Sequence, residues 1–175
     1  MILKRSSTPD SAMLHFICGS TGAGKTTYAA KLAKEIDAII FGVDDWMAAL
    51  YWQDAPRPLE GAWAMERVAR CQNQIWITAK QVAARGIPCI LEMGFGQARI
   101  RAQFGALAQE AGLAVNLHFL DVPADERWRR VEKRNAEKSG PLSFDVTREM
   151  FDFVETMWEP PSQAEMSAWN GLRIR

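Results

Sequence analysis

The chain has 175 residues, and its 21 basic and 21 acidic side chains give a formal net charge of zero. That length favours one compact domain with a full hydrophobic core. With 48% hydrophobic and 24% charged residues, disordered and fibrous classes are excluded, and the even charge balance argues against broad, non-specific nucleic-acid binding while leaving a local basic patch open.

Residues 1–13 lack the apolar core of a signal peptide and read as a loose leader, with residues 14–175 as a single domain. Leu14–Cys18 is an apolar run of strand length that stops at glycine, and Lys25–Ile36 carries Ala29, Leu32, Ala33 and Ile36 at helical spacing. Ala38–Val43 reads as a second strand, ended by Asp44-Asp45, which can cap a helix running to about Trp52. "QDAPRPLEG" is a loop, and Ala62–Arg85 is a long helix stopped at Gly86 and Pro88. Ile87–Met93, Ala98–Ala111 and Leu113–Val122 follow as strand, helix and strand, and Pro123 opens a helix over Ala124–Lys138. After the break "SGPLS", Val146–Trp158 is amphipathic and ends before Pro160-Pro161. Ser162 and Glu165 have capping-box spacing for a last short helix, and Leu172–Ile174 reads as an edge strand. No apolar run approaches the ~18 residues of a membrane helix.

Strand and helix alternate throughout, which predicts a three-layer α/β/α fold with a mostly parallel five-stranded sheet. Ligands of such sheets bind along the edge where the strand C-termini emerge. Gly19, Asp44 and Glu92 each end or follow a predicted strand, so they are expected to converge there.

"GSTGAGKT", residues 19–26, matches G-x-x-x-x-G-K-[ST], the P-loop pattern, with the strand before it and helix after it that a true match requires. Gly19, Gly22 and Gly24, with Ser20, Thr21 and Ala23 between them, let backbone N–H groups surround phosphate oxygens. The helix start adds its amides through Thr27 and its dipole. Lys25 reaches the β- and γ-phosphates of ATP, and the Thr26 hydroxyl is a ligand for Mg²⁺. Asp44 has two readings, helix cap or acceptor of a hydroxyl proton, and spacing leaves them close to even. Glu92 either holds Mg²⁺ through water or bonds to the P-loop. Arg127, Arg130 and Arg134 share a helix face, which is either solvated or a lid of cations over phosphates. Cys18 and Cys89, inside apolar runs and without metal-type spacing, read as buried thiols of a reducing, cytoplasmic compartment.

"GSTGAGKTTYAAKLA", with "FGVDDWM" after it, resembles the start of the small P-loop kinases that phosphorylate hydroxyls. Chloramphenicol phosphotransferases share the P-loop and an "FGVD" segment, phage polynucleotide 5′-kinases share an Asp-Asp pair after the second strand, and zeta-toxin-like kinases share the general plan. The resemblance implies a general-base role for Asp44 and assigns nothing to Asp45. It also implies a helical lid over about 124–142, because "RN…K" and the continuation "P…DV.R.M" are similar to the polynucleotide kinase lid. An arginine clamps the transferring phosphates in that family. Lys138 stands nearest its position and cannot form a planar fork, so either Arg130 or Arg134 carries the clamp, with Arg134 favoured, or transition-state stabilisation is weaker.

Seven tryptophans are a heavy load for this length. Trp46, Tyr51, Trp52 and Trp63 surround the loop where an acceptor would be held, whereas Trp76, Trp128, Trp158 and Trp169 read as core. His15 and His118, inside predicted strands, read as satisfied interior residues. The expected function is transfer of the γ-phosphate of ATP to a hydroxyl of a small molecule, by a monomer or homodimer. The alternatives are a polynucleotide 5′-hydroxyl acceptor, with nucleic acid as partner, and a non-catalytic ATP-binding regulator.

Overall fold

The computed structural model describes residues 13–137 and 145–175. The leader up to residue 12, Lys138 and the distal part of the expected lid lie outside the described residues. β1 (Met13–Cys18) leads through the P-loop into α1 (Lys25–Ile36), then β2 (Ile39–Gly42) and α2 (Val43–Leu50). A 3-10 turn (Trp52–Asp54) precedes α3 (Gly61–Ala83), β3 (Cys89–Glu92), α4 (Ala98–Glu110) and β4 (Ala114–Leu120). The chain finishes with α5 (Ala124–Glu137), α6 (Arg148–Thr156), α7 (Gln163–Ala168) and β5 (Leu172–Ile174).

The five strands lie in the order β2-β3-β1-β4-β5, and every neighbouring pair is parallel. The sheet expected to be mostly parallel is therefore wholly so. Alternation along β1 explains the two apolar layers. Leu14, Phe16 and Cys18 join Cys89 and Leu91 in one cluster with residues of α3 and α4. Ile17 joins Ile90, Leu120 and the α1 residues Ala29 and Leu32 in a second cluster. Among the described residues, no helix is long and apolar enough to cross a membrane.

Three local expectations change. Asp44 and Asp45 do not cap α2 through their side chains, because strand passes straight into helix: Gly42 is the N-cap, without a side-chain bond, and both aspartates sit in the first turn. There they face the positive end of the helix dipole. The helix expected to reach Trp52 stops at Leu50. The helix expected from Val146 begins at Arg148, capped by the Thr147 hydroxyl. Val146 is instead held by Asn135, whose amide donates to its carbonyl at 2.9 Å and accepts from its N–H at 3.2 Å. The capping box of Ser162 and Glu165 forms as expected.

Candidate functional site

The register pairs Gly42 with Glu92, and β1 ends beside them, so Gly19, Asp44 and Glu92 meet at the C-terminal edge of the sheet. A cavity of about 860 Å³ opens there, lined by Thr21–Thr27, Asp44, Glu92, Arg130 and Arg134, and continuing along Tyr28 and Lys31.

The P-loop adopts the geometry its glycines allow. Gly22 and Gly24 have φ of 79° and 91°, in the left-handed region. A side chain at Gly22 would place its Cβ 2.4 Å from the Arg127 carbonyl oxygen, so α5 packs directly on the loop. The Ala23 N–H donates to the Ser20 carbonyl at 3.1 Å, and Lys25 Nζ donates to the same oxygen at 3.3 Å. Burial pushes the Lys25 ammonium below the usual lysine value, opposed by the carboxylates of Glu92 and Asp44.

The Thr26 hydroxyl donates to Glu92 Oε1 at 2.9 Å. Burial raises the Glu92 carboxyl above its ordinary value, and that hydrogen bond and Lys25 oppose the rise. Asp44 is exposed to the cavity, yet the surrounding walls remove enough water to raise its pKa, with Lys25 opposing and Asp45 reinforcing. Among the described residues, no group of three or more His, Cys, Asp and Glu side chains gathers as a metal site. The Thr26–Glu92 pair offers hard oxygen donors of the kind Mg²⁺ takes when phosphates and water complete its shell, so the residues present fit that ion.

The three arginines of α5 expected to share a face, Arg127, Arg130 and Arg134, diverge. Arg134 lines the cavity, and its Nη2 is buried without a hydrogen-bond partner among the described residues. Arg130 is half exposed, pairs with Glu126 and donates to the Ala23 carbonyl at 3.1 Å. Arg127 leaves the expected row: it is 4% exposed and spends its donors on Val122, Thr21 and Glu155. A helical spacing shows only that three side chains share a face. It cannot show that the first turn of α5 abuts the P-loop, nor that Glu155, 28 residues further on, supplies the partner.

The aromatic residues Trp46, Tyr51, Trp52 and Trp63 gather as expected, but against the main core cluster. Trp52 and Trp63 lie 6.3 Å apart, with the Arg67 guanidinium 4.3 Å from the Trp63 ring. Trp76, Trp158 and Trp169 pack on the core, and Trp128 packs on Phe151. His15 Nδ1 lies 2.9 Å from His118 Nε2, and Tyr28 Oη lies 2.8 Å from His118 Nδ1. All three cysteines are free and buried.

A family model described as AAA domain matches residues 14–161. No curated protein sequence matches the chain. Among solved structures, a chain of the Pnkp1/Rnl/Hen1 RNA repair complex is similar with a TM-score of 0.68 and 17% identity, covering 87% of this chain and 45% of that one. Kti12 of Chaetomium thermophilum, solved with ADP-AlF3, gives 0.66 and 15%, covering 92% and 88%. A sugar kinase from Janibacter sp. HTCC2649 gives 0.63 and 19%, covering 93% and 84%. The shared feature is a kinase-like P-loop NTPase fold.

Proposed function

Because the chain belongs to the AAA domain family, we propose that it binds ATP at the P-loop and transfers the γ-phosphate to a hydroxyl of a small-molecule acceptor. The observation that carries this reading is one cavity lined by the P-loop, Asp44, Arg130 and Arg134. The loop amides and Lys25 hold the β- and γ-phosphates. Asp44 accepts the acceptor's hydroxyl proton as its oxygen bonds to the γ-phosphorus, while the bond to the β–γ bridging oxygen breaks and ADP leaves. A raised pKa brings a carboxylate closer to the basicity this step needs. Arg134, with Arg130 beside it, meets the charge of the transferring phosphoryl group. Thr26, and Glu92 through water, would hold Mg²⁺, which when bound supplies positive charge to the phosphate oxygens.

Zero net charge, and the absence of cations other than Arg57 along residues 46–61, favour a small acceptor over a nucleic-acid end. Likeness to a chain of an RNA repair complex supports a 5′-hydroxyl polynucleotide as the second reading. Asp44→Ala is expected to abolish transfer while ATP binding survives, measured with labelled ATP and by calorimetry. An unchanged rate in that variant would remove Asp44 as the base. A 5′-hydroxyl oligonucleotide run beside a panel of hydroxylated small molecules separates the two acceptors. Clean ATP binding without transfer to any of them would favour a regulator.

A further inference from the structure

Four consecutive P-loop residues are held from outside the loop. The Ser20 hydroxyl donates to Glu155 Oε1 at 2.5 Å, and Arg127 Nη1 donates to the Thr21 carbonyl at 3.2 Å. Gly22 lies against the Arg127 backbone, and the Ala23 carbonyl accepts from Arg130. Arg127 and Glu155 bind one another through two hydrogen bonds, of 2.8 and 2.5 Å, and the guanidinium lies 5.3 Å from the Phe151 ring. Arg127 Nε donates to the Val122 carbonyl at 2.9 Å. The pair therefore links the end of β4, the first turn of α5, the last turn of α6 and the P-loop.

We propose that Arg127 and Glu155 form a strut that presets the P-loop for phosphate, so that both are positioning residues acting through the loop rather than on the nucleotide. This inference rests on the nucleotide-binding reading given above. Glu155 accepts from Ser20 and Arg127 with the same oxygen, Oε1, so the hydroxyl is turned away from the cavity and the loop carbonyls at 21 and 23 are tied back. With the Ala23 N–H given to the Ser20 carbonyl, the other loop N–H groups remain for a ligand. A loop whose geometry is set in advance spends less of its binding energy on ordering itself. The Arg127 guanidinium holds the Glu155 carboxyl below the usual range, so the strut keeps its charge pair at neutral pH.

The same chain supplies an internal comparison. Arg101, fully buried, pairs with Glu165 at 2.7 Å, joins α4 to α7 and reaches Cys18, ahead of the loop, at 4.0 Å. Glu155→Gln and Ser20→Ala are each expected to weaken ATP binding about ten-fold, read by calorimetry, because both loosen the same loop segment. The two effects combine to less than their product, because the Ser20 hydroxyl and the Glu155 carboxylate act on the loop through one contact. Amide exchange of residues 22–25 speeds up in each variant before nucleotide is added. Glu165→Gln lowers the melting temperature and leaves the ATP affinity and those amides unchanged. A Glu155→Gln protein that melts lower but binds ATP as tightly as the parent overturns the strut. Multiplicative effects of the two substitutions overturn it as well. Failure of the unmodified protein to bind ATP overturns the nucleotide reading instead, and Ser20→Ala keeps the test open if Glu155→Gln does not fold.

Discussion

The left-handed Gly22 carries two constraints that no other residue type meets together. Its φ of 79° disfavours any side chain, and a Cβ there would meet the Arg127 carbonyl oxygen at 2.4 Å. Gly22→Ala is expected to destabilise the fold by about 1–3 kcal/mol and to weaken ATP binding, with urea unfolding and nucleotide titration as the measurements. A variant as stable as the parent would show that α5 yields to the methyl. The glycine was legible because "GSTGAGKT" is contiguous and its spacing encodes its own geometry. Arg127 was not: its charge places it on a surface by default, and the carboxylate that makes burial tolerable comes from a distant helix. Nothing local in the sequence links Ser20, one of the phosphate-loop residues, to Glu155.

Helix boundaries were decided by local chemistry in some places and by neighbours in others. α1 runs over the residues its apolar spacing predicts and ends at Asp37, a left-handed residue with φ of 54° whose N–H donates to the Ala33 carbonyl. Asp37→Gly removes the steric cost of that conformation and is expected to raise stability by about 1 kcal/mol. The urea midpoint checks it, and a drop would mean that the aspartate side chain contributes more than its strain costs. α6 differs because Asn135 binds both backbone groups of Val146 and keeps that residue out of the helix. A long-range side-chain pairing of this kind leaves no periodic trace in the sequence. α2 starts at Val43, with no connecting residue after β2, so aspartates expected at a cap lie in the first turn.

Across the whole molecule, the Tyr28–His118–His15 chain sets an acid limit on stability. Burial lowers the His118 pKa to about 4 and that of His15 in the same direction. In the unfolded chain each imidazole takes a proton near pH 6.5. Between those values the unfolded state binds more protons, so stability is intact above about pH 6.5 and is lost as pH falls toward 4. For His118 alone the loss by pH 5 is about 2 kcal/mol. Asp44 and Glu92, raised by burial, act with the opposite sign. His118→Gln therefore isolates the effect: its melting temperature should fall less between pH 7.5 and 5 than that of the parent, and equal slopes would count against the imidazole.

By itself the sequence determined the alternating parallel architecture, the P-loop and the convergence of Gly19, Asp44 and Glu92. Apolar periodicity, glycine spacing and the ends of parallel strands all act within a few residues or through one topological rule. Only the tertiary structure decided which arginines face the cavity, which one is buried beneath the loop, and that Glu155 accepts from Ser20. Those outcomes depend on how closely α5 and α6 approach the P-loop, a packing distance that pattern along the chain does not encode.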